Sequence, residues 1–185
     1  MDVWIIHQWS GSPKSDWIPW LAKELEKKNY SVHVPEMPEA DFPRIDAWIG
    51  YLADTIGILS EETIFVGHSI GAQAIMRYCE RMPVRVRGAV FAAPWLHLQN
   101  LEDKEAEAIA DPWLTIPIHF EAVRHTLPKI IALFSGNDPF VPIADRQLFE
   151  KHLGAHTRLI EEAGHFTADD GYAKFPELLN AVFDI

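Results

Sequence analysis

Ser69, Asp138 and His165 lie far apart along this 185-residue chain, yet they are the side chains that could together carry out acyl transfer. A serine hydroxyl is a weak nucleophile. It needs a base to take its proton and an acid to orient that base. Ser69 stands in Gly67-His68-Ser69-Ile70-Gly71, a G-x-S-x-G flanked by a strand-like run, Thr63 to Val66, and by apolar residues at helical spacing from Ile70 to Met82. In that setting the pentapeptide predicts a sharp strand-to-helix turn that exposes the hydroxyl. Glycines on both sides leave room for the turn, and the start of the helix points free N–H groups at any oxygen that becomes negative. Without partners, the same serine could simply cap the helix.

The partners follow from where ligands meet a doubly wound sheet, at the carboxyl ends of its strands. Lys129 to Phe134 reads as a strand, and its turn, Ser135-Gly136-Asn137-Asp138-Pro139, presents Asp138. Thr157 to Ile160 reads as the next strand, and Glu161-Glu162-Ala163-Gly164-His165-Phe166 brings His165 behind a glycine. The chain order Ser, Asp, His is that of the α/β-hydrolase fold. Taken singly, Asp138 could be an Asx turn and His165 a surface loop residue. Asp145, Asp169 and Asp170 suit helix starts or caps. No histidine spacing resembles a metal site, so neither metal nor cofactor is expected. The oxyanion hole would take one N–H from Ile70 and a second from the loop after the first strand, Trp9 or Gln8, with His7 bracing that loop.

The elements that must position these groups read as short buried strands alternating with amphipathic helices. Strands are expected at Val3 to Ile6, Ser31 to Val34, Thr63 to Val66 (ended by Gly67), Arg87 to Ala92, Lys129 to Phe134 and Thr157 to Ile160. Helices are expected over 17–28 (ended by Asn29), from Asp41 and Pro43 through Leu59, over 70–82, 143–153 and 172–183. Parallel neighbours need crossovers, so the pattern predicts an α/β chain with a parallel sheet of about six strands and helices on both faces. One domain, residues 1–185, is enough. The irregular stretch 95–128, with an acidic helical piece at Leu101 to Ile109 and prolines at Pro112 and Pro117, reads as a lid or pocket wall.

Composition narrows the partners. Hydrophobic residues make up 48% of the chain, which argues against disorder, and the formal charge of -11 would repel nucleic acid and anionic membranes. The apolar run Val3 to Ile6 is too short for a signal peptide or a membrane span, so a cytoplasmic protein is expected. The lone cysteine, Cys79, reads as a core thiol. Oligomeric state is left open.

Over nearly its whole length the chain resembles the small YdeN-like serine hydrolases, the family that includes retinoblastoma-binding protein 9. The shared segments are the opening I-I-H with S-P-K-S-D-W-I-P-W-L, F-V-G-H-S-I-G, A-A-P-W, I-I-A-L-F-S-G-N-D-P-F-V-P and A-G-H-F. The resemblance implies a compact α/β-hydrolase with Ser69, Asp138 and His165 as its triad. Two positions depart from it: Gln8 stands where relatives usually carry glycine, and Asp16 where they carry histidine before the tryptophan. A Gln8 side chain could narrow the oxyanion loop or offer an amide donor. The L-x-C-x-E partner motif of the retinoblastoma-binding member is absent, since the cysteine lies in Arg77-Tyr78-Cys79-Glu80, and that partner is not carried over.

The function expected is hydrolysis of a small ester or similarly activated acyl substrate through an acyl-enzyme. Trp95, Trp113, Phe140 and Phe166, with Trp9, would make the acyl pocket apolar, unless they are core packing. A scaffold that keeps the fold without turnover, and a perhydrolase or cofactor-free haloperoxidase side activity, are the alternatives.

Overall fold

The computed structural model describes residues 1–185. Six strands, β1 (Asp2–Ile6), β2 (Ser31–His33), β3 (Thr63–His68), β4 (Gly88–Ala92), β5 (Ile130–Ser135) and β6 (His156–Ile160), form one sheet in the order β2-β1-β3-β4-β5-β6. Every neighbouring pair is parallel. The four central strands are the most apolar because both faces are covered, and β3, β4 and β5 are buried at every residue.

Seven helices supply that cover: α1 (Ile18–Glu26), α2 (Ile45–Ile56), α3 (Ile70–Cys79), α4 (Lys104–Thr115), α5 (Phe120–Thr126), α6 (Asp145–Leu153) and α7 (Pro176–Phe183). Helix α1 packs with α7, while α2 and α5 flank α3. A continuous cluster of 49 buried hydrophobic residues runs through both layers, and Cys79 lies within it.

Two consequences of the topology place the site. Parallel strands put all six carboxyl ends along one edge. The chain reverses its direction of travel across the sheet at β1, so the loop after β1 faces the loop after β3 at the switch point. The register fixes this locally, pairing Ile6 with Gly67 and His68 with Ala92.

Beyond shifts of one to three residues at other ends, the elements differ from the sequence reading in four places. Gly67 does not end its strand, since β3 continues through His68 and its pairing with β4 requires it. Asp41 lies in the turn over residues 38–41 and Pro43 follows it, and α2 begins only after the extended Arg44. The final helix starts at Pro176 because Tyr172 and Phe175 are drawn into an aromatic cluster with Phe166. In the stretch 95–128, α4 runs straight through Pro112, and a second helix, α5, follows. Pro112 removes only one intrahelical donor near the end of α4, where capping from elsewhere holds the turn. That support is Arg77 of α3, buried beneath α4, whose guanidinium donates to the carbonyls of Trp113 (2.8 Å) and Ile116 (2.7 Å). A cation at a helix C-terminus is favoured by the helix dipole.

Candidate active site

Ser69 adopts φ 52° and ψ −117° between β3 and α3, a backbone conformation that costs a non-glycine residue on the order of 1–3 kcal/mol. The flanking glycines make it possible. A Cβ on Gly67 would lie 2.7 Å from the Ala72 backbone, and one on Gly71 would lie 2.3 Å from the carbonyl oxygen of Ile6. Ser69 N–H bonds Ala92 O at 2.9 Å, so the turn is tied to the next strand. Helix α3 then begins at Ile70, whose N–H has no acceptor one turn back in the helix.

His165 and Asp138 meet across the ends of β6 and β5. Nδ1 of His165 donates to Asp138 Oδ2 at 2.9 Å and lies 3.1 Å from Oδ1. Asp138 also closes an Asx turn, accepting the N–H groups of Phe140 (2.9 Å) and Val141 (3.0 Å). The turn role and the orienting role are therefore held by one carboxylate, which the turn fixes in place for the imidazole. The Asp138 side chain is 1% exposed and that of His165 11%. The outer part of His165 and Ser69 line the same cavity, of about 380 Å³.

Four further residues hold the backbone around His165, a role that sequence reasoning assigned to none of them, and Asp170, expected to start or cap a helix, is one of them. His68, inside the G-x-S-x-G itself, is fully buried, and its Nε2 donates to the His165 carbonyl at 2.8 Å. Burial, with neighbouring His165 adding to it, pushes the His68 pKa down to about 3, which keeps the ring neutral. Asp170 accepts from the N–H of His165 (2.9 Å) and from Thr167 N–H and Oγ1, folding back over Gly164, where a Cβ would meet its carboxylate at 2.1 Å. Asn137 accepts from Gly164 N–H at 2.8 Å, and Ser135 from Ala163 N–H at 3.2 Å. No spacing in the sequence singles them out, because each acts through a backbone group that the fold brings to it.

On the opposite wall is the loop after β1. His7 is buried and braces it: Nδ1 donates to Gln8 O at 2.8 Å, and Nε2 accepts Met37 N–H at 3.1 Å. Burial lowers its pKa and favours this neutral ring. The backbone N–H groups of Gln8 and Trp9 donate to no other protein group, so either is free to face the cavity that both residues line. The Gln8 side-chain amide is already committed to Asp16, so the two departures from the family pattern touch one another.

Of the four aromatic residues expected in the pocket, Trp95 and Phe140 line the cavity with Trp9, and Phe140 sets its ring edge against His165 at 5.3 Å. Trp113 and Phe166 do not reach it, which corrects that expectation. Trp113 is buried under α4, donating to Pro43 O at 2.9 Å, and Phe166 stacks on Phe175 in the core at 4.8 Å. Large apolar rings on either side of the site found more area to bury in the core than in a wet cavity. Leu98, Leu101, Glu102 and Ala106 complete the wall from the segment leading into α4.

With this geometry in view, residues 3–184 match the serine hydrolase family. The chain belongs to that family. YdeN of Bacillus subtilis strain 168 is 29% identical over 180 residues, covering 94% of this chain and 90% of YdeN. The serine hydrolase RBBP9 of Rattus norvegicus is 29% identical over 167 residues, covering 90% and 84%. The crystal structure of the B. subtilis ydeN gene product superposes with a TM-score of 0.91 over 99% of this chain and 97% of that one, at 23% identity in the structural alignment. Est1E of Butyrivibrio proteoclasticus, solved with ferulic acid bound, shares the fold at a TM-score of 0.75 and 14% identity, covering 99% and 86%. The chain shares the α/β-hydrolase fold of these structures, and no helix in it is long and apolar enough to cross a membrane.

Proposed function

We propose that the protein is a carboxylesterase-like enzyme that cleaves a small ester or activated acyl substrate through the triad Ser69, His165 and Asp138. The observation that carries the reading is the His165 imidazole, bonded to buried Asp138 at 2.9 Å on one side and lining the cavity of Ser69 on the other. The Ser69 oxygen attacks the acyl carbon as His165 Nε2 takes the hydroxyl proton. Asp138 holds the Nδ1–H tautomer and stabilises the imidazolium that forms. The carbonyl electrons move onto an oxyanion that receives the Ile70 N–H and one N–H of the Gln8-Trp9 loop. Collapse breaks the bond to the leaving group, which takes the proton from His165. Water, deprotonated by the same imidazole, then releases the acid and restores the serine.

Trp95, Leu98, Leu101, Ala106 and Phe140 favour an apolar acyl group. Glu102 on the rim and the overall charge of -11 disfavour an anionic one. An aromatic acyl group fits the same walls, and the ferulic acid bound by Est1E supports that choice. The substrate is thus a small molecule, handled without a cofactor in a cytoplasmic setting. The experiment is hydrolysis of p-nitrophenyl esters of graded chain length and of an aromatic acid by wild type and Ser69→Ala. The triad acts as a unit, so Ser69→Ala is expected to lower kcat by roughly a million-fold with the fold intact. Retention of most of the activity would refute the assignment.

A further inference from the structure

Asp16 spends both carboxylate oxygens on groups from opposite sides of the cavity. The Gln8 side-chain Nε2 donates to Oδ2, and the backbone N–H of Ala168, three residues past His165, donates to Oδ1 at 2.6 Å. Asp16 is held at φ 52°, a left-handed conformation that a residue with a Cβ disfavours, so the surrounding loop fixes it against its own preference. The far side of the Gln8 amide is equally confined: Oε1 is buried without a partner, and a Cβ on Gly11 would lie 2.8 Å from it.

The other ties of the first loop lead away from His165. His7 bonds Met37, Ser10 N–H bonds Ala40 O at 2.8 Å, and the Trp9 indole bonds Asp41 O at 2.9 Å. These anchor the loop to the segment after β2. The hydrogen-bonded connection to the His165 loop runs through Gln8, Asp16 and Ala168.

The geometry points to Asp16 as a positioning residue that, through Gln8, sets the spacing between the oxyanion donors of the first loop and the imidazole of His165. The kinetic part of this inference rests on the triad reading above. The donor and acceptor pattern makes it specific. Both neighbours of Asp16 are donors, so both of its oxygens must accept. An asparagine of the same shape offers one oxygen and one NH2, and with the oxygen on Ala168 N–H the NH2 faces the Gln8 NH2 unless the Gln8 amide turns over in its confined space beside Gly11. Asp16→Asn therefore weakens the strut with little change in volume, and Gln8→Ala removes it. Exchanging the two chemistries restores it: in the double variant Gln8→Glu/Asp16→Asn, the carboxylate at position 8 accepts from the amide at position 16, whose oxygen accepts Ala168 N–H.

Two measurements test this. Hydrogen exchange reads the strut independently of turnover: Asp16→Asn should speed exchange at the bonded N–H groups of Ala168 and Ser10, and the double variant should restore protection. Misplacing a catalytic group by about 1 Å costs on the order of 100-fold, so Asp16→Asn should lower kcat for a p-nitrophenyl ester by about 10- to 100-fold, with KM changed by less than about 3-fold. The double variant should recover most of that loss. If Asp16→Asn does not fold, Gln8→Ala removes the same link and carries the same expectations. Unchanged exchange in these variants overturns the strut whatever the activity. Faster exchange with wild-type kcat, in an enzyme that Ser69→Ala silences, overturns its positioning role. Esterase activity that survives Ser69→Ala counts against the triad, while exchange still decides the strut.

Discussion

Two buried aspartates in this fold each hold a histidine by its Nδ1, and only one of the pairs faces the cavity that Ser69 lines. Asp138 accepts two backbone N–H groups and His165 Nδ1; Asp145 accepts the N–H groups of Leu96 (2.5 Å) and His97 (2.7 Å) and His97 Nδ1 (2.7 Å). Both carboxylate side chains are 1% exposed. What separates the pairs is the far side of the ring. His165 is closed in by Phe140 and His68 and lines the cavity of Ser69, whereas the His97 side chain is 65% exposed. On the reading proposed above, the His165 pair serves as a base because a hydroxyl lines the same cavity. Elsewhere the same bonds serve as a clasp, here fixing the chain that leaves β4 for the cavity wall.

The largest expected effect comes from making the same substitution in both pairs. In Asp138→Asn the amide oxygen can keep the Phe140 and Val141 bonds, while the NH2 faces His165 Nδ1 and forces the wrong tautomer. The kcat for ester hydrolysis should fall by about 10,000-fold with little change in stability. Asp145→Asn leaves His97 free to turn its other tautomer toward water, so activity should stay within a few-fold of wild type. Equal losses in the two variants would dissolve the distinction.

Asp145→Ala probes the clasp itself. It strands the N–H groups of Leu96 and His97, and unfolding in urea should show a loss of about 2–3 kcal/mol. The ester kcat should fall by less than about 10-fold.

His68 sharpens the contrast as a histidine buried without a carboxylate hydrogen bond. Its folded pKa of about 3 lies below the ordinary 6.5, so the unfolded chain binds the extra proton between those values. Its contribution is complete above about pH 6.5 and is lost as pH falls toward 3. From pH 7 to pH 5 the loss should be about 2 kcal/mol for this group. His68→Gln should flatten the acid limb of a urea-denaturation pH series, and an unchanged slope would mean that the ring is not held neutral.

The smallest effect belongs to His97→Ala. An exposed ring on a satisfied aspartate contributes about 0–1 kcal/mol, so the melting temperature should move by only a few degrees or less.

How much of this could be read beforehand depends on whether the information was local. The six strands and their parallel pairing were legible because buried strands and amphipathic helices write their periods into the chain, while the α/β-hydrolase architecture followed from the Ser, Asp, His order and the family resemblance. The Ser69 turn was legible because its G-x-S-x-G pattern is local, although the contact that Gly71 answers to, with Ile6 of β1, is supplied by the fold. The clamps around His165 were not, because His68 and Asp170 act through backbone bonds whose partners only the fold reveals. Asp145 was expected to serve a helix start. It does begin α6, but its carboxylate turns away from the helix to Leu96 and His97. Trp113 and Phe166 could not be separated from Trp95 and Phe140 by type or neighbourhood, since all four are large rings beside the site. Pro112 misled in the same way, because the Arg77 bonds that support the end of α4 come from a helix 35 positions earlier in the sequence.

The central claim, that His165 and Asp138 activate Ser69, is tested most directly by labelling the intact protein with a fluorophosphonate and locating the adduct by mass spectrometry. The account predicts one adduct on Ser69 that is absent in Ser69→Ala and forms far more slowly in His165→Ala. A wild-type protein with no adduct on Ser69, or one labelled equally fast without His165, would contradict it.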